Sequence, residues 1–299
     1  MPVTTATKSL LPPKRMQIEV VLKGVALGAC AYHPRIGGEH ERSGVITIGK
    51  VLRKHVVENE VLPIAANKGG VVYVGDRGSK LRIAQWVETK AVELDDQLKR
   101  SAPTLRDFAQ RKTLDWRSPR LASDFRELSA DLWRELELPA PDPHSDGFWP
   151  LRQPHWDAVA RVEGPHGTQG VILLEAKSHL AELSNHCTAS AQSRRTILRS
   201  LNAAKSYLGV PKRADWLTGY YQAANRLAFL YYLRARRSIP TWLFFVYFLG
   251  DKFEVEGVAR SCLKSKEEWK PVLQEMHAAL MLPQCHPFTH FARDVFLPT

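Results

Sequence analysis

Cysteine is scarce in this 299-residue chain. There are four, Cys30, Cys187, Cys262 and Cys285, and no two form a CxxC pair. That excludes a disulfide-stapled secreted fold and points to reduced thiols in a cytoplasmic protein. Long apolar runs are also lacking. A membrane-spanning helix needs roughly 18 apolar residues in succession, and the nearest candidate, TWLFFVYFLG, is only strand length. The amino terminus, MPVTTATKSLLPPKRM, has no continuous apolar segment of the secretory kind. Acidic residues are the minority charge, 31 against 42 lysines and arginines, for a net +11. A fold does not need that excess, whereas a polyanionic partner such as nucleic acid rewards it. No membrane partner is expected.

Several catalytic signatures are missing as well. GVITIGKV approaches a phosphate-binding GxxxxGK[ST] loop, but Val51 stands where a hydroxyl would reach Mg²⁺, and its inner residues are β-branched strand formers. No GxSxG nucleophile elbow occurs. The groups Cys285, His286, His290 and His179, His186, Cys187 lack zinc-finger spacing. His155 reads as structural.

What is present divides near residue 100. Residues 1–15 read as a loose tail. Residues 16–100 read as a small β-rich region of unknown role, with runs IEVVLKGVAL, GVITIGKVL, GGVVYVG and LRIAQWVETK between glycine turns. SAPTLRDF reads as a joint into a mixed α/β region, 101–299. There SDFRELSADLWREL places Phe125, Leu128, Leu132 and Leu136 on one helical stripe, with Ser123 as N-cap. ASAQSRRTILRSLNAAKSYLG and WLTGYYQAANRLAFLYYLRARR read as helices, TWLFFVYFLG with FEVEGVA as a hairpin, and KEEWKPVLQEMHAALML as a closing helix.

The informative segment is HWDAVARVEGPHGTQGVILLEAKSH. It reads as a β-hairpin, Trp156–Val162 and Val171–Lys177, around the turn Gly164-Pro165-His166-Gly167. VILLE is apolar at nearly every position, the pattern of a strand covered on both faces. A buried strand that ends in Glu175 and Lys177 needs a reason, because unpaired charge in low dielectric is costly. Centring the turn on His166 sets Asp157 opposite Glu175, where Cα atoms lie about 4.5–5.5 Å apart. Side chains alternate, so Asp157, Glu175 and Lys177 share a face. A slip of one residue would send the aspartate to the other face.

Two close carboxylates repel, and a divalent cation resolves the conflict. Hard oxygen ligands suit Mg²⁺ or Mn²⁺, which polarises a phosphodiester and lowers the pKa of a bound water. Lys177 would orient that water or stabilise the developing phosphorane charge.

Asp, an intervening strand, then Glu-x-Lys resembles the PD-(D/E)XK nuclease superfamily over roughly residues 103–270, in the order helix, β-hairpin, helix, strand. The resemblance implies a restriction-endonuclease-like α/β/α core with a central mixed sheet. It implies Asp157 and Glu175 as metal ligands and Lys177 as the group that assists hydrolysis. Trp156 replaces the proline that often precedes the aspartate. Many members add a glutamate from the preceding helix, for which Glu127 is the first candidate and Glu135 the second. Some add a glutamine from a later helix, matched here by Gln222. The activity implied is Mg²⁺-dependent cleavage of nucleic acid, with DNA expected, and a homodimer would suit cutting of both strands.

Glu-x-Lys occurs three times. Glu88 and Lys90 have no acid opposite them, and Glu268 and Lys270 fall on a helix as a solvated face. Only Glu175-Ala176-Lys177 follows a doubly buried strand with an acid in pairing register. The competing readings are an ion pair that merely closes a hairpin, and a non-catalytic nucleic-acid-binding protein on the same fold. Gln222, Asn225, Arg226 and Phe229 share one helical face and would contact a substrate backbone, support Lys177 or form a core hydrogen-bond network. Arg194, Arg195 and Arg199, opposite an apolar stripe, would neutralise phosphates or form a solvated face. Alanine at Glu175 or Lys177 is expected to abolish cleavage and leave the melting temperature close to wild type.

Overall fold

The computed structural model describes residues 66–67, 70–71, 78–141, 146–252, 254–255, 258–259 and 262–299. All belong to one compact unit, Lys50–Thr299. The tail 1–15 and the runs IEVVLKGVAL and GVITIGKVL lie outside the described residues.

Two short strands, β1 (Ala66–Asn67) and β2 (Gly70–Val71), pair antiparallel. Helices α1 (Gly78–Thr89), α2 (Ala91–Ser101) and α3 (Pro103–Ala109) follow. Then come β3 (Asp115–Ser118), the single helical turn α4 (Leu132–Glu135), β4 (Ala158–Glu163) and β5 (Gln169–Lys177). Helices α5 (Ala191–Leu208) and α6 (Tyr221–Tyr231) lead to β6 (Thr241–Leu249). The two-residue strands β7 (Glu254–Val255) and β8 (Val258–Ala259) precede α7 (Lys266–Ala279) and β9 (Ala292–Pro298). No described helix is long and apolar enough to cross a membrane.

Five strands form one mixed sheet in the order β3-β4-β5-β6-β9. β3, β4 and β5 are antiparallel neighbours, and β5, β6 and β9 run parallel. The two strands with near-continuous apolar sequence, VILLE and TWLFFVYFL, are adjacent inside the sheet, as burial on both faces requires. One face carries Ile172, Leu174 and Phe244 against Ile83, Leu94 and Leu98 of α1 and α2. The other carries Leu173, Leu243 and Phe245 against Leu201, Leu227 and Leu273 of α5, α6 and α7. The fold is therefore α/β, a mixed sheet between two helical layers.

The structure corrects four local expectations. LRIAQWVETK is helical, and the β-rich character expected for 16–100 fails over 78–100. Its buried residues, Ile83, Ala84, Trp86 and Val87, follow the 3.6 period, which outweighs β-branched and aromatic propensity. SAPTLRDF, expected to be a joint, includes most of α3, which opens with Pro103 in its first turn. SDFRELSADLWREL forms one α-helical turn only, with Asp124 and Phe125 at positive φ. Its apolar stripe is still buried, and Ser123 bonds the Arg120 carbonyl rather than capping a helix. Finally, FEVEGVA does not pair with TWLFFVYFL. β6 is flanked instead by β5 and by β9, a C-terminal strand missed in the sequence, while β7 pairs with β8.

Asp95 of α2 binds the layers together. Its buried carboxylate accepts from the Leu114 amide at 2.7 Å and from Trp116 Nε1 at 3.0 Å. Asp95→Ala strands both donors and is expected to cost about 2–4 kcal/mol in urea denaturation, at about 1–3 kcal/mol for each unsatisfied buried group. A wild-type midpoint would refute that role.

Candidate active site

The hairpin holds the expected register. Ala158 faces Leu174 and Val159 faces Leu173, so the next pair outward is Asp157 and Glu175. Leu128 makes an isolated bridge with Trp156 and so braces the strand just before Asp157. Glu175 and Lys177 emerge on the α5–α7 face at the end of β5.

Glu175 is almost fully buried, at 2 % exposure. Its Oε1 accepts from Lys177 Nζ. Its Oε2 accepts from Arg226 Nε at 2.7 Å, with Arg226 Nη2 at 2.5 Å. Burial works against its charge, but Arg226 and Lys177 outweigh it and hold the carboxyl below its usual range. Lys177 also loses hydration, and Glu175 and Asp157 outweigh that loss and raise its pKa. The Lys177 ammonium donates further to Gln222 Oε1 at 3.2 Å.

Asp157 sits differently. Its Oδ2 accepts from the Ala176 amide at 2.7 Å, and its side chain is partly open to solvent. Loss of hydration and repulsion from Glu175 push its carboxyl up to about 7, against the pull of Lys177 and the Ala176 N–H, with Glu127 adding repulsion. Glu127 is close enough to act on Asp157, and it pairs with Lys80 of α1 at 3.0 Å. Glu135 pairs with Arg126 and Arg134 instead.

Asp157, Glu175, Lys177 and Gln222 therefore converge, and Glu127 lies at their edge. Two expectations need correction. Asn225 and Arg226 are buried, at 4 % and 3 %, so neither presents a surface to nucleic acid. Arg226 is the countercharge of Glu175. It also donates to the His155 carbonyl and to Asn225 Oδ1, and lies over the Trp156 ring at 4.4 Å. Arg194, Arg195 and Arg199 are exposed on α5, as a solvated or phosphate-facing row would be.

Four participants, Asn185, Glu182, Ser79 and Lys80, escaped sequence reading. Asn185 fixes Gln222 from both ends: its Nδ2 donates to Gln222 Oε1 at 3.0 Å, and its Oδ1 accepts the Gln222 amide at 2.6 Å. Glu182 accepts from the Ser178 amide at 2.5 Å and from Ser79 Oγ at 2.9 Å, tying the end of β5 to the start of α1. Lys80 arrives from the same helix end. No local motif marks these residues, because tertiary packing alone brings them in.

The donors present suit a hard divalent cation. Asp157 and Glu175 supply carboxylate oxygens, and the Asp157 carboxyl, raised first by loss of hydration and then by repulsion from Glu175, would be relieved by positive charge beside it. Among the described residues no group of three or more His, Cys, Asp or Glu side chains is arranged to hold a metal. An ion here would take the rest of its shell from water and substrate, as Mg²⁺ commonly does. No family model, curated protein or solved structure matches the chain.

Proposed function

We propose that the protein is a metal-dependent nuclease with a restriction-endonuclease-like core of the PD-(D/E)XK kind, hydrolysing phosphodiester bonds in DNA. One observation carries the reading: Glu175 and Lys177 lie buried on one face of β5, with Asp157 in the opposing register position. Asp157 and Glu175 would hold a Mg²⁺ or Mn²⁺ ion, which supplies Lewis acidity to the phosphate and a lower pKa to water.

The chain's own residues do the rest. Gln222, locked by Asn185, accepts from the Lys177 ammonium and fixes its direction. Lys177 carries a raised pKa and stays charged at neutral pH, so it orients a nucleophile or stabilises developing negative charge rather than acting as a base. Arg226 keeps Glu175 ionised at the end of an otherwise apolar strand. The exposed α5 arginines and the net charge of +11 suit a phosphate backbone without selecting sequence. The structural ion-pair reading has support of its own, since Lys177 and Arg226 already neutralise Glu175. It does not account for Asp157, whose raised carboxyl marks an acid placed against its own interest.

The deciding assay incubates the full chain with plasmid, linear and single-stranded DNA and with RNA, with Mg²⁺, with Mn²⁺ and with EDTA. Cleavage of DNA that requires the ion and disappears in Lys177→Ala is the expected result. No cleavage of any substrate with either ion removes the nuclease assignment, and binding without cleavage leaves a nucleic-acid-binding protein.

A further inference from the structure

The carboxylates of the cluster are unequally neutralised. Glu175 has two countercharges, Lys177 and Arg226, and both are buried. Asp157 accepts the Ala176 N–H and is repelled by Glu175 and Glu127. Glu127 pairs with Lys80 Nζ at 3.0 Å, with His155 Nδ1 farther off at 3.9 Å. The Lys80 side chain is 50 % exposed. A cation that is to reach a phosphate must leave its carboxylate readily and meet solvent. Lys80 meets that condition, because an exposed ion pair is weak, whereas separating Lys177 or Arg226 from Glu175 would leave charge buried and unpaired.

The backbone that carries Lys80 is fixed to the site on both sides. Ser79 Oγ donates to Glu182 Oε1 at 2.9 Å, and Glu182 Oε2 accepts from the amide of Ser178, the residue after Lys177. Arg82 Nε and Nη2 donate to Oδ1 of the buried Asp251 at 3.0 and 2.9 Å, two residues past the end of β6. The first turn of α1 is therefore tied to the ends of β5 and β6, and Lys80 lies between the ties. Only its long side chain has room to turn.

A divalent ion beside Asp157 and Glu175 would change the balance at Glu127. It would attract that carboxylate and repel the ammonium paired with it. The Lys80–Glu127 pair lies partly in water, so it is the contact that yields. We propose that Lys80 is a substrate-binding residue, held by Glu127 in the ion-free protein and turned to a DNA phosphate when the ion is bound, a role that rests on the nuclease reading of the cluster. Ion and DNA then bind cooperatively, since the ion releases a cation for the phosphate, and the coupling is reciprocal.

Two binding measurements on the full chain test this without cleavage. In Mn²⁺ titration calorimetry without DNA, Lys80→Met removes the competing charge and is expected to tighten ion binding about threefold or more. In fluorescence anisotropy of a labelled DNA duplex, Ca²⁺, a hard cation that also takes oxygen ligands, replaces Mg²⁺. There Lys80→Met is expected to weaken binding about tenfold at low salt and to lower the slope of log K against log salt by about 1, for one phosphate contact. Lys80→Arg keeps the charge and is expected to keep the slope. In EDTA, where Glu127 holds the ammonium, the loss in Lys80→Met is expected to be much smaller. Glu127→Gln is expected to tighten DNA binding in EDTA, and adding Lys80→Met to it to abolish that gain. The Lys80 side chain is half-exposed, so both of its variants are expected to keep a wild-type urea midpoint. If the wild type binds Mn²⁺ and cleaves DNA while Lys80→Met leaves DNA affinity with Ca²⁺ unchanged, the role of Lys80 is overturned and the nuclease reading stands. A loss as large in EDTA as with Ca²⁺ overturns the exchange at Glu127. No Mn²⁺ binding by the wild type removes the ion site, and both readings fall together.

Discussion

Glu175→Ala is expected to abolish cleavage and also to destabilise the fold by about 3–5 kcal/mol, the usual penalty for leaving one partner of a buried ion pair without the other. Arg226 is 3 % exposed and Glu175 2 %, so the guanidinium cannot turn to water when its carboxylate is removed. Its contacts to the His155 carbonyl and Asn225 satisfy hydrogen bonds but supply no countercharge. The burial of this pair argues against the expectation from sequence that alanine here would leave the melting temperature near wild type. Glu175→Gln separates the two effects. The amide oxygen can still accept from Arg226 or Lys177, so the stability loss is expected to be smaller while cleavage is still lost. Urea midpoints and the DNA assay on both variants check this. A Glu175→Ala protein with a wild-type midpoint would show that the Glu175–Arg226 pair does not hold the helix to the sheet.

Much of the site was legible because it is local. A hairpin with a short turn fixes register within a few residues, and the alternation of side chains then fixes the face. Asp157, Glu175 and Lys177 followed from that arithmetic; Gln222 was named from the family resemblance, and helical spacing set it on one face with Asn225 and Arg226. Arg226 was found on the right helical face, with a substrate backbone, Lys177 and a core hydrogen-bond network left open as its partners, and it takes the last of these around Glu175. Nothing along the chain says whether an arginine on an apolar helix reaches solvent or a buried carboxylate. Asn185, Glu182, Ser79 and Lys80 were illegible, since their links span up to 103 residues; Glu182, Ser79 and Lys80 depend on how α1 docks, and Asn185 on where α6 begins. The same docking explains the misreading of LRIAQWVETK. Its β-branched and aromatic residues favour a strand locally, and only the helical layer under the sheet makes the 3.6 period decisive. β9 was missed because ARDVFLP is an edge strand, with four of its seven residues only half-buried and an apolar run of just three, Val295, Phe296 and Leu297, to announce it.

Asp157→Asn is expected to act in the opposite direction on stability: cleavage lost, but the folded state strengthened by about 1–3 kcal/mol at pH 8. The substituted amide would keep an acceptor for the Ala176 N–H and remove the charge that Glu175 and Glu127 repel. The pH dependence follows from the same shift. The carboxyl titrates near 3.8 in the unfolded chain and at about 7 when folded, so the folded state binds its proton more tightly. Its contribution to stability is therefore fully present below about pH 4 and is lost as pH rises through about 7. The gap between variant and wild type should be small in acid and should widen up to about pH 8. Mg²⁺ should then narrow it, because an ion that binds only the folded wild type stabilises that protein alone. Urea midpoints at pH 5 and pH 8, each with Mg²⁺ and with EDTA, give the comparison. A gap that ignores both pH and Mg²⁺ would mean that Asp157 and Glu175 do not oppose each other, and the physical reason for placing an ion between them would be gone.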